Sequence, residues 1–298
     1  MPEREFIRPG VARVTTDRYG RWYEWGGEKY WSVTTILKTR HKYALEWWFK
    51  QTTALAAVEN YEMLGGLIQA GKKGAVDWLH NASDRARDQR AKIGTRIHDH
   101  AEAFVLNQPM PPIQGETDEE TAELQSIMES FYDFLAGYKP EFVMVEAPIF
   151  SVSQQYAGTL DFIADFDRSL FPEAALRIIL GDDFNKHMDS GRDTIRLLGD
   201  YKTGKGVYEE VALQLTPYRN AEHVGLPDGN MDPMPTVDGA IVVHLRDGVM
   251  DVYPVSTSDV HWKTFLYIRE VYRWNRDGKK GAIGKPVVLA NRQIALDT

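Results

Sequence analysis

The apolar residues of this chain change their spacing near Phe142, and that change constrains the fold more than any other feature of the sequence. On the N-terminal side they recur every three or four residues, as in amphipathic helices, and beyond it they form short runs typical of strands. The predicted helices cover residues 43–61, 82–106, 117–138 and 259–274, and the predicted strands cover 142–150, 156–166, 194–203, 241–245 and 249–255. Helices come first, a group of strands follows, and a helix comes last. This order indicates an α/β fold with a helical N-terminal elaboration.

The same pattern predicts how the chain is organised. We expect one domain over residues 1–298, with a mostly helical part over 1–140, a strand-rich core over 141–256, and a C-terminal helix and tail over 257–298. Aromatic and turn-forming residues within the first 30 positions predict a short hairpin, and Thr117 with Glu120 has the capping-box pattern of a helix start. The sequence has no run of about 18 apolar residues and no signal-peptide pattern, so we expect a cytoplasmic protein without a membrane span.

The absence of cysteine limits the metal chemistry. With 0 Cys among 298 residues, disulfides, iron–sulfur clusters and cysteine zinc sites are excluded. Carboxylates, imidazoles and carbonyls remain as ligands, and they favour magnesium, manganese or calcium. The net charge of -8 argues against bulk attraction to nucleic acid but leaves room for a local basic track.

The first candidate site lies where a predicted strand ends in Asp200-Tyr201-Lys202. Alternate side chains of a strand share a face, so Asp200 and Lys202 project together, roughly 7 Å apart along the chain. With the Tyr201 carbonyl between them, these groups can bind a divalent ion and position the water beside it. A solvated strand end before a glycine turn explains the same residues equally well.

Asp161, which follows Gly158 on the preceding predicted strand, is the second candidate. If the two strands are neighbours, Asp161 faces Asp200, and two converging carboxylates imply a cation between them or a raised pKa. A turn-forming aspartate is the alternative. Glu146, one strand earlier, is a possible additional acid or an outward-facing strand residue.

The second predicted helix carries a histidine pair and a basic stripe. His98 and His100 flank its predicted buried stripe of Ile93, Ile97, Ala101 and Phe104 on opposite sides, and helical geometry does not choose between them. Over residues 82–98 this helix has five cationic residues against two acidic ones, among them Arg90 and Arg96. Such a stripe can guide DNA phosphates, and a solvated helix face is the ordinary alternative.

Four motifs in this order resemble the RecB-like branch of the PD-(D/E)XK nucleases, which includes CRISPR-associated and phage exonucleases. They are Gly94-Thr-Arg-Ile-His98, Gly158-Thr-Leu-Asp161, Asp200-Tyr-Lys202 and Gln214-Leu-Thr-Pro-Tyr218. The resemblance implies a restriction-endonuclease-like mixed sheet flanked by helices, with residues 141–256 as the nuclease core. It also implies a metal-dependent DNA exonuclease of recombination, repair or phage DNA processing, with a helicase or single-strand annealing protein as a possible partner. For a phage protein, the compartment would be the host cytoplasm.

The resemblance also implies roles for individual residues. Asp161, Asp200 and Lys202 would be catalytic, and Lys202 would orient the attacking water or stabilise charge on the phosphate. One or two Mg²⁺ or Mn²⁺ ions would be held by His98, Asp161, Asp200 and the Tyr201 carbonyl. Gln214, Tyr218, Arg90 and Arg96 would contact the DNA or brace the site.

This chain departs from the family pattern at three places. It lacks the iron–sulfur cysteines of many CRISPR-associated relatives, so no cluster is expected. Residues 167–196 form a long insertion between the acidic strands, with a predicted helix that begins at Pro172. Pro217 falls within the last motif, and if Thr216 caps a new helix there, Gln214 and Tyr218 do not share a face.

Three rival functions fit parts of the pattern. A glycoside hydrolase would use paired carboxylates and tryptophans, but it gives no reason for Lys202. A non-catalytic nucleic-acid-binding protein would be expected to have lost one of Asp161, Asp200 and Lys202. A structure-specific endonuclease on the same fold is the third rival. Only the family resemblance favours an exonuclease over it.

Overall fold

The computed structural model describes residues 6–7, 10, 12–40 and 43–286. Its strands form one ten-stranded, mixed and largely antiparallel sheet, and helices pack on both faces. The strands are β1 (Arg13–Asp17), β2 (Gly20–Trp25), β3 (Glu28–Ser32), β4 (Glu141–Ser151), β5 (Tyr156–Asp167), β6 (Thr194–Lys202), β7 (His223–Gly225), β8 (Met231–Pro233), β9 (Gly239–Arg246) and β10 (Val249–Val255). The five predicted strands are confirmed as β4, β5, β6, β9 and β10.

The helices fall into an N-terminal group, an insertion and a C-terminal group. They are α1 (Val33–Leu37), α2 (Tyr43–Glu59), α3 (Tyr61–Ala70), α4 (Lys72–His80), α5 (Ala82–Val105), α6 (Asp118–Tyr138), α7 (Glu173–Leu180), α8 (Phe184–Asp189), α9 (Val211–Arg219) and α10 (Asp259–Arg273). The predicted cap is confirmed, because Thr117 Oγ1 accepts a hydrogen bond of 3.1 Å from the Glu120 N–H. Among the described residues, no helix combines the length and apolar character needed to cross a membrane.

The centre of the sheet is β5, and its two edges differ. Along one edge β4 runs antiparallel to it over most of its length. The other edge is shared: β3 pairs with its first residues, Tyr156 and Ala157, and β6 pairs with it from Phe162 onward. Residues 158–161 therefore lie where β3 and β6 diverge. Because β6 continues in parallel pairing with β9, its end with Asp200 stays at this divide.

Two apolar cores cover the two faces of the sheet. On one face α5, α6 and α7 pack on β5, β6 and β9, and Ile93 and Ile97 of α5 are buried there as predicted. On the other face α1, α9 and α10 pack on the same strands. The expected burial of Phe104 was wrong, because 45% of it is exposed and its ring lies edge-on to Phe131.

Three local features refine the sequence predictions. The N-terminal hairpin is extended by β3 into a three-stranded meander that joins the main sheet. The insertion over residues 167–196 contains the predicted helix, which begins directly after Pro172. The helix α9 begins at Val211 and continues through Pro217, so Thr216 does not start a new helix. Gln214 and Tyr218 therefore share a face, contrary to the expected break.

Candidate metal and catalytic site

Four elements place polar side chains around the divide in the sheet. Asp161 comes from β5 and Asp200 with Lys202 from the end of β6. Glu146 comes from β4, and His98 comes from α5, which packs across this face. The structure thus brings together residues that are far apart in the sequence. β5 and β6 are neighbours, which is the condition under which we expected Asp161 to lie near Asp200.

His98, Glu146 and Asp161 form a compact group of possible metal ligands. His98 Nδ1 lies 3.0 Å from Glu146 Oε1 and 3.6 Å from Asp161 Oδ1. One ligand atom from each of the three residues lies within 4.8 Å of the others. Imidazole and carboxylate donors in this combination could hold a divalent metal ion without a thiolate.

Glu146 has an unusual backbone for a strand residue. Its φ is 43°, in the left-handed region that residues other than glycine rarely adopt. Its neighbours Val145 and Ala147 keep the same register with β5, and the strand has a separate irregularity between Phe142 and Met144. Because such a conformation costs roughly 1–3 kcal/mol, the surrounding packing must hold Glu146 in place beside His98.

Asp200 and Lys202 project together, as their strand spacing predicts. Lys202 Nζ lies 2.5 Å from Asp200 Oδ2, and Asp200 is only 2% exposed. The other oxygen of Asp200 accepts a hydrogen bond of 3.0 Å from the Gln214 amide on α9. Gln214 therefore contacts the acidic centre directly through Asp200.

Three carboxylates, Glu146, Asp161 and Asp200, share the site with two basic side chains, His98 and Lys202. Burial alone would lower the pKa of His98, but Asp161, Glu146 and Asp200 outweigh it and raise that pKa to about 9. Burial, together with Asp200 and Glu146, raises the pKa of Asp161. Carboxylates whose ionisation is this costly gain from a divalent cation, which supports the fit of a metal ion to the donor set.

The site opens into a cavity of about 540 Å³. Tyr218 lines it, and a Cβ added at Gly158 would lie 2.5 Å from the Tyr218 ring. The glycine of one motif is thus explained by the tyrosine of another. Tyr218 is buried, and its contact with Gly158 makes it a bracing residue of the cavity wall.

Other predicted residues lie outside the group of possible ligands. His100 is buried on the other side of α5, and its Nδ1 lies 2.7 Å from the Arg96 carbonyl, as in a structural histidine. The Arg96 guanidinium donates to the Gln114 carbonyl, and Lys92 pairs with Glu116. The side chain of Arg90 lies outside the described part of the chain.

The cavity also contains residues that the sequence did not single out. Arg21 of β2 and Thr34 of α1 line it because β3 pairs with the start of β5. Thr159 lines it too, and its hydroxyl lies 3.0 Å from that of Tyr23. Nothing in the local pattern of the first 40 residues signals that they reach this site, because the β3–β5 pairing joins positions far apart in sequence.

No protein-family model matches the chain, and no curated protein shows significant similarity to it. The four motifs therefore have to be judged by where the fold places them. Their acidic, basic and amide side chains meet in one cavity, and this geometry is the basis for a functional proposal.

Proposed function

We propose that this chain is a Mg²⁺- or Mn²⁺-dependent DNA exonuclease. The observation that carries the proposal is the His98–Glu146–Asp161 group beside the Asp200–Lys202 pair in one solvent-accessible cavity. Metal ligands and a primary amine at one point are what phosphodiester hydrolysis requires: a bound cation, an activated water and a positive group for the phosphate.

The residues of the site would divide the work between them. His98, Glu146, Asp161 and Asp200, with the Tyr201 carbonyl, would hold the metal, which supplies Lewis acidity toward the phosphate and a more acidic water. Lys202, kept protonated by Asp200 and Asp161, would orient the water or neutralise charge that develops on the phosphate. Gln214 would keep Asp200 in its ligating orientation.

The resemblance to RecB-like PD-(D/E)XK nucleases supports the exonuclease assignment. The mixed sheet, with Asp161 and Asp200 on adjacent strands, agrees with a restriction-endonuclease-like core. The proposal extends to recombination, repair or phage DNA processing in the cytoplasm, with a helicase or annealing protein as partner. The absence of cysteine excludes an iron–sulfur cluster.

Digestion of end-labelled linear DNA and covalently closed circular DNA tests the proposal, with Mg²⁺, with Mn²⁺ and with EDTA. Asp200→Asn is the matched variant, because it preserves the shape of the side chain and removes its charge. We expect metal-dependent loss of linear DNA only, and none with Asp200→Asn. Cleavage of the closed circle would instead make the enzyme an endonuclease that uses the same site.

The remaining outcome favours a different class of protein. If wild-type protein binds DNA but cleaves neither substrate with either metal, the exonuclease proposal fails. A non-catalytic nucleic-acid-binding protein would then be the better description. Cleavage that Asp200→Asn retains in full would leave the activity but overturn the assignment of the site.

A further inference from the structure

A groove lies beside the candidate site, between α2, α4, α5 and the loop that follows β6. Its volume is about 740 Å³. Its aromatic and charged lining residues are Trp48, Trp78, Tyr208, Arg85, Arg87, Lys205 and Glu59. Small residues lie between them on the facing sides of α2 and α5, so a ligand could approach the helix backbones closely.

The aromatic residues of the groove present ring faces of different exposure. Trp48 and Trp78 are half-buried, whereas Tyr208 on the loop is 63% exposed. The Arg85 guanidinium lies 4.3 Å from the centre of the Trp78 ring and donates a hydrogen bond of 2.9 Å to the Trp78 carbonyl. Arg85 thus covers one face of the Trp78 ring, and the ring faces left open beside these cations suit unpaired nucleobases, which offer a π-face whatever their sequence.

Charge in the groove has the sign that a polyanion requires. Arg85, Arg87 and Lys205 line it against the single acid Glu59, in a chain whose net charge is -8. Arg87 is paired with two acids, Asp84 at 2.9 Å and Asp88 at 3.0 Å, so it adds little to the charge of the groove. Arg85 contacts Trp78, and Lys205 is exposed. Arg85 and Lys205 against Glu59 leave a local excess of one cation, in contrast to the net charge of -8 of the whole chain.

The groove is continuous with the candidate site. Gly204 lines both the groove and the cavity that contains Asp200. Tyr208 lines both the groove and a smaller pocket that contains Lys202 and Gln214. The loop is anchored where they meet, because His244 Nε2 lies 2.7 Å from the Gly204 carbonyl. A strand lying in the groove would thus lead to Lys202.

We infer that this groove binds single-stranded DNA, with bases stacked on Trp48, Trp78 and Tyr208, and directs the strand to the Asp200–Lys202 pair. This inference rests on the proposed function and deepens it by naming the single strand as the substrate class. Duplex DNA does not fit the same mode, because its base faces are already stacked on each other.

Fluorescence anisotropy of labelled oligothymidine tests the inference, with the full chain and Ca²⁺ in place of Mg²⁺ or Mn²⁺. Tyr208→Ala and Trp78→Ala are the groove variants, and Tyr267→Ala is the control, an exposed tyrosine on α10 that is 73% exposed. Each groove variant should raise Kd by roughly 5- to 100-fold, the effect of losing one base stack. Tyr267→Ala should bind as wild type does, and a blunt duplex should bind more weakly than the single strand.

The outcomes separate this inference from the proposed function. If Tyr208→Ala binds oligothymidine as tightly as Tyr267→Ala does, the groove inference is overturned even if the wild type degrades DNA. Absence of wild-type binding overturns it as well, and the groove would then suit a protein segment. Groove-dependent binding without metal-dependent cleavage would uphold the groove as a binding site for single-stranded DNA and defeat the proposed nuclease.

Discussion

Asp161 Oδ2 accepts a hydrogen bond of 2.7 Å from the backbone N–H of Tyr201, across the point where β5 and β6 separate. Regular antiparallel pairing of the two strands ends one residue earlier, at Phe162 and Gly199. The carboxylate of Asp161 therefore takes the place of a ladder hydrogen bond. It fixes one acidic strand against the other while its second oxygen faces His98, 3.6 Å away.

This double role predicts how substitutions of Asp161 differ. Asp161→Asn keeps an oxygen for the Tyr201 N–H, so the metal-free variant should unfold at a temperature no lower than that of the wild type. Asp161→Ala loses that acceptor and should be about 1–3 kcal/mol less stable in urea denaturation. Equal stability of the two variants would contradict the structural role of the carboxylate.

Metal binding should stabilise the folded protein. A divalent ion that binds only the folded state raises the melting temperature, by roughly 5 °C at a hundredfold excess over Kd. Thermal denaturation with Mn²⁺ and with EDTA measures the effect. Asp161→Asn should respond much less, because it removes one negative ligand. A full response in that variant would place the metal elsewhere.

The pKa of His98 predicts a pH dependence for the metal-free protein. Its folded value of about 9 lies above the ordinary 6.5, so its favourable pairing with carboxylates is fully present below pH 6.5 and is lost as pH rises through about 9. The raised pKa of Asp161 acts in the same direction, but at lower pH, because that value is about 7. The melting temperature in EDTA should therefore fall across this window.

His98→Gln supplies the control for that pH dependence. The variant cannot take up the proton, so its melting temperature in EDTA should change less with pH than that of the wild type. Metal affinity of the wild type should rise over the same window, because the ion competes with the proton on the imidazole. Parallel stability profiles for the two proteins would show that His98 does not carry the effect.

Lys202 should matter for rate more than for metal binding. Lys202→Ala should lower the initial rate of cleavage of end-labelled DNA by roughly 100- to 1,000-fold, as loss of a charge-stabilising group does. The rise in melting temperature with Mn²⁺ should persist, because the ligands remain. Lys263→Ala, on the exposed side of α10, is the matched control and should cleave at the wild-type rate. An unchanged rate in Lys202→Ala would remove it from the catalytic group.

Gly199, next to Asp200, should resist substitution. A Cβ at this position would lie 1.8 Å from Cζ of the fully buried Phe162, so Gly199→Ala should lose about 1–3 kcal/mol of unfolding free energy. Gly137→Ala on α6 is the control, because no atom lies within 4 Å of its added Cβ, and it should be neutral or slightly stabilising. Urea denaturation compares the two.

A second substitution tests the cause of that loss. If the contact with Phe162 is responsible, the double variant Gly199→Ala/Phe162→Leu should lose less than the two single variants together. Additive losses would show that the ring of Phe162 is not what excludes a side chain from position 199.

Local patterns predicted the helices and strands of the core well. The apolar residues follow the helix period and the strand period clearly in this sequence. The spacing of Ile93 and Ile97 identified α5, and Thr117 located the start of α6 within one residue. The strand positions of Asp200 and Lys202 predicted that they share a face, and their contact confirms it. These features depend only on neighbours in sequence.

Features that depend on distant segments were not accessible in the same way. The left-handed backbone of Glu146 and its contact with His98 arise from packing of α5 on β4. The choice of His98 over His100 became evident only from the position of β5. The continuation of α9 through Pro217 also needed tertiary context, since proline by itself favours a break.

The shared edge of β5 has a consequence for the timing of activity during synthesis. The pocket wall needs β3 at one end of that edge and β6 at the other, and Gln214 must then return from α9 to Asp200. These contacts join positions far apart in the chain, so a nascent chain that has not yet reached Gln214 lacks one wall of the candidate site. The site therefore forms only after more than two thirds of the chain has been made.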